Sequence, residues 1–150
     1  MNAYYEVLRV LKFSLENNKD IHTVTQGDIS SLDLNKMNIY PIGHIDLDDG
    51  TFRENTIEFN CSIYAMDVID TSNELTTDKF VGNDNEIDVF NTMLAVVRRT
   101  YLELSKDVYT DDITILGEPT IRKMEGAVNN LAGWEMTFTI EVPDIIISVC

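Results

Sequence analysis

Cationic side chains are scarce in this sequence: 11 Lys and Arg stand against 26 Asp and Glu, a formal net charge of -15. Residues 20 to 88 hold 15 Asp and Glu against only Lys36, Arg53 and Lys79. Such a surface repels phosphate backbones and anionic lipid headgroups, which disfavours nucleic-acid reading and membrane binding. It keeps a free chain soluble, and it suits a basic partner or a passage to which DNA must not stick. Cysteine is nearly missing too. Cys61 and Cys150 lie too far apart for a zinc or redox spacing, so the setting expected is a reducing cytoplasm. Cys61 sits in an alternating stretch and reads as a small core hydrophobe. No apolar run approaches membrane-spanning length, and MNAYYEVLRV has neither the basic start nor the apolar run of a secretory leader. No nucleophile elbow, Walker loop, dinucleotide fingerprint or H-E-x-x-H pair is present.

What the chain does have is clean periodicity. Its 150 residues match one domain, and aromatic residues run from Tyr4 to Phe138. Val7, Leu8, Leu11 and Leu15 predict a helix from about residue 3 to 17, with Glu6, Arg9, Lys12 and Glu16 on its wet face. A short strand over 21–25 ends at Gly27-Asp28, and residues 28–37 read as a loop or short helical turn. A strand over 39–47 carries Pro41 and Gly43, which marks it as an edge strand or a bent one. Asp48-Asp49-Gly50 then reads as the hairpin turn into a strand over 56–66. There Ile57, Phe59, Cys61, Ile63 and Ala65 face one way, and Glu58, Asn60 and Ser62 the other. Tyr64 and Met66 turn that second face apolar.

Residues 70–85 are polar and read as a long mobile loop, followed by a helix over 86–104 capped by Asp84 or Asn85. Phe90, Met93, Leu94, Val97, Tyr101 and Leu104 form its apolar face. One or two strands around Ile113, Ile115 and Ile121 are broken by Gly117 and Pro119, and residues 126–133 read as a loop. Trp134, Met136, Phe138, Ile140 and Val142 then alternate with polar residues as a half-buried strand, ahead of a short tail over 144–150. The expected fold is α+β: a two-layer sandwich, its sheet mainly antiparallel, with both helices packed on one face.

The residues that offer chemistry have ordinary readings. His44 with Asp46, Asp48 and Asp49 invites a cation, but the EF-hand spacing is missing and Asp-Asp-Gly is what a turn demands. His22 or His44 paired with Cys61 as a catalytic dyad rests on residue type alone. The expectation is therefore no enzyme, with no catalytic, cofactor or metal residues. Tyr64 and Met66, the tail residues Ile145, Ile146 and Ile147, and the doublets Arg98-Arg99 and Arg122-Lys123 are the candidate subunit contacts. The apolar members offer surface that a monomer does not explain, and the basic ones offer inter-subunit ion pairs as readily as exposed salt bridges.

The layout, with Tyr40-Pro41-Ile42-Gly43 and the closing strand from Gly133 to Pro143, resembles small tail-terminator and head-to-tail connector proteins of tailed bacteriophages, including those of the crAss-like group. That resemblance implies a ring-forming virion protein of the neck or tail, assembled in the host cytoplasm. Its partners would be further copies of itself and neighbouring portal, neck or tail proteins, with DNA passing through without specific binding. The alternative is an acidic module that captures a basic partner. A metal-dependent enzyme built on Asp46, Asp48 and Asp49 is a third reading.

Overall fold

A computed structural model describes residues 3–29, 40–69, 80, 85–108, 110, 112–125 and 131–143. Helix α1 spans Ala3–Glu16, strand β1 Thr23–Gln26, β2 Ile42–Phe52 and β3 Thr56–Val68; helix α2 spans Glu86–Ser105, β4 Thr114–Glu125 and β5 Leu131–Pro143. The loop expected over 70–85, but for Phe80 and Asn85, and the tail over 144–150 lie outside the described residues.

Five strands form one sheet in the order β1-β2-β3-β5-β4. Three of its pairings are antiparallel, and β1 runs parallel to β2. The alternation of β3 and β5 decides which face is dry. Cys61 stands opposite Phe138 and Ile63 opposite Met136, and all four are buried. Ile45 of β2 joins this face opposite Ile63. Helix α1 contributes Val7, Val10, Leu11 and Leu15, and α2 contributes Phe90, Met93, Val96 and Val97. Both helices therefore cover one face of the sheet, as periods of 3.6 and 2 require of amphipathic elements sharing one core. The Trp134 indole N–H donates to the Phe90 carbonyl at 2.9 Å, and the two rings meet edge to face, which fixes α2 on β5. Ser14 donates to Glu103 at 2.6 Å and ties the helices together.

Four local expectations need correction. Asp48-Asp49-Gly50 is not the turn. Leu47 pairs with Cys61 and Gly50 with Phe59, so Asp48 and Asp49 together oppose Asn60 in a β-bulge. A side chain at Gly50 would come within 2.8 Å of the Glu58 carbonyl, which explains the glycine without a turn. The strand runs on to Phe52, and the reversal falls at residues 53–55, closed by the Arg53 N–H on the Thr56 carbonyl at 2.8 Å. Gly133 lies within β5 and not in a loop. Gly117, Glu118 and Pro119 do not break β4 in two: they form an irregular stretch between Leu116 and Thr120 of one strand, with Gly117 at φ 67°. Glu6 is buried, since Arg9 one turn on reaches back to hold its carboxylate.

A Cβ at Gly133 would sit 1.9 Å from the Ala65 carbonyl oxygen, in the middle of the sheet. Gly133→Ala is expected to cost about 3 kcal/mol or abolish folding, read from the midpoint of urea unfolding. Gly27→Ala, with open space around it but φ 113°, should cost less.

Candidate functional site

The sheet face turned away from the helices carries a polar row that crosses all five strands. Register places Thr25 beside His44, His44 beside Tyr64, Tyr64 beside Glu135 and Glu135 beside Arg122. Adjacent strands lie about 4.8 Å apart, so each side chain reaches the next. The His44 ring is 1% exposed and held at both nitrogens, Nε2 against the Gly27 carbonyl at 2.8 Å and Nδ1 against the Thr25 hydroxyl at 2.6 Å. A carbonyl only accepts, so Nε2 carries the proton and Nδ1 accepts from Thr25. Burial holds the His44 pKa below its usual value, against the opposing pull of the Gly27 carbonyl, Asp46 and Asp28. Burial, and then its hydrogen bond to Glu135, pushes the Tyr64 hydroxyl upward. Arg122 closes the row on Glu135 at 3.2 Å. Beside it Asp46 is raised by burial first, then by Asp48 and Asp28.

Each side chain of this row is held by its neighbours. His44 has both nitrogens engaged, and Cys61 lies on the opposite face of the sheet. The Cys61 thiol, pushed up to about 12 by burial, remains protonated at neutral pH. Sheet geometry thus separates the histidine and cysteine that residue type alone would pair. Among the described residues, no group of three or more His, Cys, Asp or Glu is placed to hold a metal ion, and no helix is long and apolar enough to cross a membrane.

The structure sorts the candidate contact residues differently from the sequence. Tyr64 and Met66 are 6% and 3% exposed and pack with Ile42, Ile29, Tyr40 and Met124 in a second small cluster. The apolar end of that face serves the chain's own packing. Three of the basic residues are paired within the chain: Arg99 with Glu103 at 2.8 Å, Arg122 with Glu135, and Lys123 with Glu125 at 3.5 Å and over the Phe90 ring. Arg98 differs. Its guanidinium lies 5.4 Å over the Tyr101 ring and forms no ion pair among the described residues. Ile145, Ile146 and Ile147 lie outside the described residues.

Two exposed apolar features went unmarked in the sequence. One is a groove of about 360 Å³ between α2 and β4, walled by Leu94, Arg98 and Tyr101 on one side and Pro119 and Ile121 on the other, with Met136 beneath. Leu94, Arg98 and Tyr101 recur at i, i+4 and i+7, so they form a stripe beside the buried face of α2. The other is the β2–β3 arm, where Phe52 is 86% exposed beside Tyr4 of α1, at 45%. No protein-family model and no curated protein matches the chain.

A lowered His44 pKa means that the folded chain binds fewer protons than the unfolded one just below the usual histidine value of 6.5. Stability therefore rises with pH through that window and is lost as pH drops through it. The raised Asp46 acts with the opposite sign above the usual aspartate value of 3.8. Thermal melting between pH 7.5 and 5.5 should show this loss, and His44→Gln should flatten the slope.

Proposed function

We propose that this chain is a structural subunit that associates with copies of itself into a ring, as the resemblance to phage tail-terminator and connector proteins implies, and lines a passage for DNA. The carrying observation is the pair of exposed apolar features at different places on the sheet, the α2–β4 groove and the Phe52 arm. Exposed apolar surface of this kind on a compact chain marks a contact with another molecule. Two different patches suit a head-to-tail contact, which closes into a ring when the rotation fits. Asp46 stands apart from both features, on the β2 face turned away from the helices, where it would be free to face a lumen and repel DNA. His44, Tyr64 and Glu135 then act as internal struts of the subunit and have no catalytic part.

Sedimentation velocity over a hundredfold range of concentration, with electron microscopy of the heaviest species, tests this reading. A closed ring of defined copy number is expected. A monomer at every concentration counts against it. The competing reading, an acidic module for a basic partner, draws on the mutual repulsion of Asp46, Asp48 and Asp28. It expects a monomer whose binding to a basic protein weakens steeply with salt.

A further inference from the structure

We propose that the β2–β3 arm of one copy seats in the α2–β4 groove of a second copy, with Phe52 entering the groove and the arm's carboxylates facing Arg98. This names the contact within the ring reading and rests on it.

The arm has the shape and chemistry of an inserted element. β1 ends where Gln26 meets Ile45, so beyond that point β2 has no strand on its outer side among the described residues. The free stretch carries Asp48 and Asp49 at the bulge, Phe52 at its end and Glu54 in the turn. Arg53, the one cation there, is held by Glu58 at 3.0 Å. The arm therefore presents one bare aromatic ring flanked by three carboxylates.

The groove is the complement. Its lining is mainly apolar, and its volume of about 360 Å³ falls among pockets that admit an aromatic group. Arg98 stands on its α2 wall, stacked on Tyr101 and lacking a carboxylate among the described residues, so an incoming acid does not have to displace one. Glu118 on the β4 side disfavours an acidic arm there and so sets which wall the carboxylates meet. Strand addition between copies is disfavoured at the outer stretch of β2 by its acidic bulge and at β4 by the Gly117–Pro119 irregularity. Side-chain insertion meets neither obstacle. Within one chain β3 and β5 lie between β2 and β4, so the arm reaches a groove only in another copy.

The test uses the full chain and two variants, Phe52→Ser in the arm and Ile121→Asp in the groove, each first shown by circular dichroism to keep the wild-type fold. Each variant alone should associate at least about thirtyfold more weakly than wild type, as loss of a central aromatic anchor would give. Mixed together they should form a species of two chains and stop there, because one sound arm and one sound groove remain. Arg98→Glu should also weaken association, and Asp49→Lys should restore it. If wild type assembles and Phe52→Ser assembles equally well, this contact is wrong while the ring reading stands. If each variant is monomeric and the mixture stays monomeric, the contact is not head-to-tail and the proposal fails. A wild-type chain that is monomeric at every concentration overturns both.

Discussion

β3 and β5 pair over thirteen residues without a slip, from Thr56 opposite Pro143 to Val68 opposite Leu131. Everything else in the molecule is placed by that ladder. A slip of one residue would turn one of the two strands over, sending either Cys61 and Ile63 or Phe138 and Ile140 away from the helices and putting polar residues such as Ser62 or Thr139 beneath them. The register holds because two hydrophobic faces must be buried at once, and Gly133 lets the strands approach where a methyl group would collide with Ala65. The cross-strand row from Thr25 to Arg122 is a consequence of the same alignment on the opposite face. His44 reaches Tyr64, and Tyr64 reaches Glu135, because the ladder sets them side by side.

The two faces of the sheet do different physical work. On the helix side, stability comes from burying apolar area. On the other, polar groups are taken from water and each is given a partner: Thr25 and Gly27 for His44, Glu135 for Tyr64 and Arg122 for Glu135. No buried side-chain nitrogen or oxygen is left without a hydrogen bond among the described residues. A fully satisfied network of this kind specifies one arrangement of strands, because breaking one link strands a buried polar group. The protons and lone pairs of His44, Tyr64 and Glu135 are committed to one another and to their neighbours in this arrangement.

Much of the fold was legible from local period. The stripes of α1 and α2 and the alternation of β3 and β5 can be counted along the chain, and they place both helices on one side. The failures share one cause. Asp48-Asp49-Gly50 has the composition of a turn, but the pleat of β3 extends past it, so the pairing absorbs the extra residue as a bulge. That error hid Phe52, although Arg53-Glu54-Asn55 just beyond it is also a turn signal. Tyr64 and Met66 looked like surplus apolar surface because their cover comes from Ile42 and Met124, on other strands. Of the basic doublets, Arg99 has its partner Glu103 one helical turn on, whereas Arg122 finds Glu135 only across a strand pair.

By itself the sequence determined the class of the fold, the faces of its helices and central strands, the paucity of reactive groups and the concentration of charge between residues 20 and 88. Those properties follow from neighbours within one turn or one pleat, where 3.6 and 2 are fixed by backbone geometry. Tertiary structure alone decided the strand order, the row through His44 and Tyr64, the pairing of Arg122 with Glu135, the seat of Lys123 over Phe90, and the exposure of Arg98 and Phe52. Each of these depends on residues tens of positions apart, which the burial of a common core brings together.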